Sequence, residues 1–181
     1  MIRGRYVIGL TGSIGMGKSV AAGMLRRAGV PVFDADAEVH RLMGKGGRAV
    51  PLIESAFPGV VIDGKVDRPK LGARVFGDAA ALKRLERILH PMVGQGERAF
   101  LARAARHRRP IVARDVPLLF ETGGDKRCDM TLVVSAPAHI QRHRVLARPG
   151  MTEERLAQVR AKQMPDARKR KLADVVILSG T

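Results

Sequence analysis

Eight residues constrain this chain more than any others: Gly12-Ser13-Ile14-Gly15-Met16-Gly17-Lys18-Ser19 fills the pattern G-x-x-x-x-G-K-[ST] in full. Glycines let the backbone wrap so that several N–H groups converge on one anion. A helix starting near Lys18 adds the positive end of its dipole. The Lys18 ammonium reaches β- and γ-phosphates, and the Ser19 hydroxyl suits Mg²⁺. The flanks agree. Residues 5–11 read as a buried strand, 18–28 as a helix closed by Gly29, and 30–33 as a second strand ending at Asp34-Ala35-Asp36. Strand, phosphate-binding loop (P-loop), helix and strand in about 30 residues make the βαβ unit of a parallel sheet.

The middle of the chain changes character. Residues 37–43 and 50–57 are helix candidates separated by a glycine-rich stretch. Residues 58–70 are turn-rich, with Asp63-Gly64 as a tight-turn signal. Asp78 is placed to cap the strongest helix, in which Leu82, Leu85, Ile88, Leu89, Met92 and Val93 keep helical spacing. Pro91 should kink or divide it, with helical pattern resuming over 100–106. Strands return at 110–113, leading into Asp115, and at 130–135. A helix follows over 137–147, another from the N-cap Thr152 to about Met164, and a last strand over 173–178. The expected fold is an α/β three-layer P-loop architecture with about five parallel strands. The expected domain is single, 1–181, with a core of 1–45 and 109–181 and a helical insertion at about 46–108.

Composition excludes several classes. At 45% apolar the chain is not disordered, and its apolar runs are too short to span a bilayer. The N-terminal apolar segment is too short for a signal peptide, and the single cysteine, Cys128, fits a reducing cytoplasm. The formal charge of +16 attracts anions. Only 3% of residues are aromatic, which leaves few stacking platforms for single-stranded nucleic acid. Small polyphosphates benefit from the same field. The expectation is a monomer or weak homo-oligomer acting on small molecules, without nucleic acid or membrane.

Asp34 and Asp36 stand at the carboxyl end of the second strand, the edge where open α/β sheets bind ligands. One of them should face the P-loop and take or orient the proton of an attacking hydroxyl; the competing role is capping the next helix. Thr11, just before the loop, could donate a hydrogen bond nearby. Asp115 ends the third strand where a Walker-B carboxylate would stand, a place that turn chemistry before Val116-Pro117 accounts for equally well. No guanine-selective Asn-Lys-x-Asp is present, and a helical insertion suits enclosure of a small acceptor. The residues alone leave open which small-molecule or nucleoside-monophosphate kinase this is, or whether it is a basic, nucleic-acid-stimulated NTPase.

Further stretches carry a specific resemblance. The loop with Leu10-Thr11 before it, Asp34-Ala35-Asp36, Leu89-His90-Pro91, Val116-Pro117-Leu118-Leu119-Phe120-Glu121, Gln141-Arg142-His143-Arg144 with Arg148 and Gln163, and Ala173-Asp174-Val175-Val176-Ile177 resemble, in order, the motifs of the dephospho-coenzyme A kinase family. The resemblance implies transfer of the ATP γ-phosphate to the ribose 3′-hydroxyl of dephospho-CoA, the last step of coenzyme A synthesis. It implies ATP contacts from Ser13, Ile14, Gly15, Met16, Gly17, Lys18, Ser19 and Val20, and a helical lid over about 137–165 bringing Arg144 and Arg148. It makes Asp36, Lys18 and Arg144 the catalytic set. Thr11, Asp36, His90, Pro91, Leu118 and Leu119 form the acceptor site, and Mg²⁺ sits on Ser19, with Asp36 reaching it through water. This chain departs from the family at Val20, where a Thr is usual, and at Leu178-Ser179-Gly180, which replaces an Asn-containing strand end. The family typically continues past the position of Thr181 with another helix.

Overall fold

The computed structural model describes residues 5–180. Residues 1–4, where the signal-peptide question arose, and Thr181 lie outside them. The chain forms two units, Met1–Phe33 with Ala104–Thr181, and Asp34–Arg103. The insertion expected at about 46–108 falls largely in the second unit, which also takes in the helix before it.

The first unit opens with β1 (Tyr6–Thr11), α1 (Lys18–Arg27) and β2 (Val32–Asp34). Every residue of β1 after Tyr6 is buried, the mark of a strand covered on both faces. α1 ends as expected: the N–H groups of Gly29 and Val30 return to the carbonyls of Arg26 and Leu25.

The second unit contains α2 (Ala35–Met43), α3 (Val50–Ala56), the strands β3 (Val61–Ile62) and β4 (Lys65–Val66), α4 (Arg68–Val75) and α5 (Ala79–Arg106), whose last turn runs on into the first unit. Asp63 and Gly64 both take positive φ, 50° and 74°, and turn β3 back on β4 as an antiparallel hairpin. The sequence marked that turn but not the two-residue strands, nor α4, whose N-cap Asp67 accepts from the Lys70 N–H at 2.9 Å. Asp78 caps α5 through one oxygen, accepting from Ala80 and Ala81 at 2.8 and 2.9 Å. Pro91 does not divide α5, which runs through it as one helix of 28 residues. Leu85 and Ile88 before the proline, and Met92 and Val93 after it, pack on one apolar cluster around Leu42, Ile53, Phe57 and Leu89. That shared burial offsets the hydrogen bond the proline removes.

The first unit resumes with β5 (Ile111–Asp115), a short 3₁₀ turn, β6 (Met130–Ser135), α6 (Ala138–Leu146), α7 (Glu153–Ala161), α8 (Asp166–Leu172) and β7 (Val175–Leu178). The five-stranded parallel sheet has the order β2-β5-β1-β6-β7. β1 thus lies at its centre, and the loop leaving β1 emerges at mid-sheet. The helix expected from Thr152 to Met164 stops at Ala161. Pro165 prevents its continuation, and α8 starts afresh beyond it. Beside β7, the Thr131 hydroxyl and N–H each donate to the Asp174 carboxylate at 2.7 Å. These bonds hold that carboxyl below its ordinary range. Their stabilisation is therefore present at neutral pH and is lost as pH falls through the lowered value. No helix among the described residues is long and apolar enough to cross a membrane.

Candidate active site

The Gly12–Ser19 loop joins the end of β1 to the start of α1. Gly17 is the residue before α1, at φ 88°, and no side chain caps the helix. The N–H groups of Lys18 and Ser19 are thereby left for an anion, while that of Val20 donates to the Gly17 carbonyl at 3.0 Å. A Cβ on Gly17 would meet the Ser179 Oγ at 2.9 Å, and one on Gly15 (φ 77°) would meet the Val145 Cγ2 at 2.5 Å. Only glycine satisfies both the backbone angle and the space at these two positions.

The loop is held from outside. Both polar groups of the Ile14 backbone are taken by glutamines: its N–H donates to Gln163 Oε1 at 3.1 Å, and its carbonyl accepts from Gln141 Nε2 at 2.8 Å. The Met16 carbonyl accepts from the Ser179 hydroxyl at 2.6 Å, and the Met16 sulfur from the Ala136 N–H at 3.1 Å. Arg144 donates to the Ser179 hydroxyl and carbonyl at 3.0 and 2.6 Å, which sets its guanidinium beside Gly17. A cavity of about 280 Å³ opens along the loop, lined by Ser13, Met16, Gln141, Gln163 and Met164 among others. Four fixed attachments on two loop residues, Ile14 and Met16, make a preorganised cradle rather than a floppy turn.

Lys18 is half-buried and forms an ion pair with the buried Asp115 at the end of β5. Ser19 and Val20 are exposed on the first turn of α1. Thr11 is fully buried, and its hydroxyl donates to the Pro117 carbonyl at 3.1 Å. Its proton is thus committed to the chain rather than offered to a ligand. Leu118 is exposed, but Leu119 is fully buried against Gly9 and Gly124. Leu119 packs as core, where its motif implied a wall of the acceptor pocket. Arg148 is exposed just past α6.

On the second unit, the two aspartates separate. Asp34 accepts from the Ala37 N–H at 2.9 Å and is the N-cap of α2. Asp36 is exposed on the first turn of that helix, and His90 and Pro91 are exposed on α5. The structure therefore gathers residues 11–20, Asp115 and Arg144 in the first unit, while Asp36, His90 and Pro91 belong to the other.

Sequence reasoning missed the work of Gln141, Gln163 and Ser179. The two glutamines carried a faint signal, being uncharged side chains inside segments otherwise crowded with arginine and lysine. Ser179 was read only as a departure from a usual strand end, yet it holds both the loop and Arg144.

A family model described as dephospho-CoA kinase matches residues 6–181. The chain is 66% identical over 164 residues to the dephospho-CoA kinase of Paramagnetospirillum magneticum, covering 91% of this chain and 77% of that one. It is 62% identical over 174 residues to that of Mesorhizobium japonicum, covering 96% and 87%. Among solved structures, a Thermus thermophilus protein matches with a TM-score of 0.86 at 37% identity, over 99% of this chain and 91% of that one. The dephospho-CoA kinase of Campylobacter jejuni shares the fold, with a TM-score of 0.63 at 21% identity, over 98% and 89%.

Proposed function

We propose a residue-level reading of catalysis from one premise: this chain belongs to the dephospho-CoA kinase family. It is a phosphotransferase with an alcohol acceptor, and it phosphorylates dephospho-CoA with ATP in coenzyme A biosynthesis. The observation that carries the assignment of roles is the cradle: an uncapped helix start, two glycines that admit no side chain, and an ammonium at its base.

In this reading the 13–20 segment meets the β- and γ-phosphates through the backbone N–H groups of Gly15, Gly17, Lys18 and Ser19, and Lys18 turns from Asp115 to the phosphates. Asp36 takes the proton of the ribose 3′-hydroxyl as its oxygen bonds to the γ-phosphorus. The bond from that phosphorus to the β-bridging oxygen breaks, and ADP leaves with the electron pair. The capping by Asp34 supports Asp36 for this role, since it leaves the second carboxylate exposed and unneeded for the helix start. Arg144, tethered at Ser179 beside Gly17, and Arg148 add positive charge over the transferring group. His90, Pro91 and Leu118 shape the acceptor site.

The oxygen donors suit Mg²⁺. Ser19 presents a hydroxyl one residue past Lys18, and among the described residues no three His, Cys, Asp or Glu side chains form a metal cluster. Such a set fits a metal held mainly by phosphates and water rather than by a protein cage. When bound, Mg²⁺ would neutralise charge on the β- and γ-phosphates. Cys128 as sole cysteine supports a reducing, cytoplasmic setting.

The test is ATP consumption with and without dephospho-CoA, with the product identified as coenzyme A. ADP should form only with the acceptor present. Asp36→Asn should lower turnover about 100-fold with ATP affinity nearly unchanged. Turnover at the unaltered rate removes Asp36 from the chemistry.

A further inference from the structure

α8 carries a run of basic residues, Arg168-Lys169-Arg170-Lys171, of which Lys169 alone is fully buried. A buried ammonium is strongly unfavourable unless it is paired and hydrogen-bonded. Lys169 is both: its Nζ lies 3.0 Å from Glu121 Oε1 and donates to the Pro117 carbonyl at 3.0 Å. Each of those oxygens serves a second donor. The Pro117 carbonyl also accepts from the Thr11 hydroxyl at 3.1 Å, and Glu121 Oε1 from the Met164 N–H at 2.7 Å. The residue before Met164 is Gln163, which accepts from the Ile14 N–H at 3.1 Å. Ile14 lies three residues beyond Thr11, so the path closes on itself.

We propose that Lys169 is a positioning residue, the hub of this ring, which sets the Gly12–Ser19 loop against the segment after Asp115. The ring runs Thr11, Pro117, Lys169, Glu121, Met164, Gln163, Ile14, and lies wholly within the first unit. It ties the P-loop at its entry and at its second variable position to a loop whose own start holds the Lys18 partner. The polar bonds of Lys169 go to Pro117 and Glu121, and its effect on the loop passes through them. Neutralising it leaves the Glu121 carboxylate half-buried without its cation, so the Met164 and Gln163 contacts lose their fixed reference. The inference rests on the reading that this loop holds ATP.

The experiment uses the full chain and reads two quantities, steady-state constants for each substrate and amide hydrogen exchange. Lys169→Met is expected to raise the KM for ATP about tenfold and to speed exchange at Ile14 and Met164. Lys169→Arg, which keeps the charge and both donations, should return KM to within about threefold of the unaltered protein. Gln163→Ala cuts the same ring at a half-buried rather than a fully buried side chain, and should raise the KM for ATP in the same sense. Unchanged exchange at Ile14 in both cut variants overturns the ring. Loss confined to kcat, in proportion to the folded fraction, makes Lys169 merely structural and overturns its positioning role. Faster exchange at Ile14 with KM unmoved overturns the placement of ATP on this loop.

Discussion

The two units are held together differently. In the first, polar bonds join residues far apart in the chain: Thr11 to Pro117 across 106 positions, Ile14 to Gln163 across 149, and Ser179 to Met16 across 163. In the second, the caps Asp34, Asp67 and Asp78 reach N–H groups two or three residues on. An apolar cluster adds to its cohesion, as a separate one does in the first unit. A longer polar link there, Arg48 to Gln95, is exposed. Apolar burial is non-directional and holds a surface together, whereas hydrogen bonds fix an atom's place. The polar cross-links therefore concentrate where, in the proposed reading, several N–H groups meet a phosphate chain at once.

Three substitutions press on that contrast. The largest effect is expected for Lys18→Ala, which should lower turnover by about a thousandfold or more in a chain whose circular dichroism is unchanged. Substantial remaining turnover would mean that the cross-linked cradle is not where the phosphates bind. Next is Ile53→Ala, a fully buried side chain at the heart of the second unit's cluster. It should destabilise that unit by about 2–5 kcal/mol in denaturant unfolding. ATP affinity of the folded variant should stay constant, because every attachment of the loop lies in the first unit. A large loss of ATP affinity would show that the two modes of cohesion are not separable. The smallest effect belongs to Asp78→Ala. It removes the acceptor for two N–H groups and should cost about 1 kcal/mol by thermal melting, with kinetics unaltered.

What could be read in advance followed the same division. The Gly12–Ser19 loop is a contiguous pattern with local physical reasons, so it was legible together with the βαβ unit around it. The caps at Asp78 and Thr152 were legible because a cap reaches only its own first turn. β3 and β4, at two residues each, are too short to show a period. Lys169 could not be told from Arg168, Arg170 or Lys171, since burial within a basic run is decided by what packs on the helix, not by its composition. Leu119 misled for the opposite reason: its motif suggested a pocket wall, and the close approach of Gly9 makes it core. The parting of Asp34 from Asp36 depended on where α2 begins, two residues earlier than its pattern suggested.

The pairing of Lys18 with Asp115 bears on how any affinity for this site is to be understood. The ammonium that in the proposed reading meets a triphosphate already has an anionic companion in Asp115. An arriving nucleotide enters a contest rather than a vacancy, and the binding constant records one ion pair relative to another. Small anions too weak to displace a carboxylate should lose that contest.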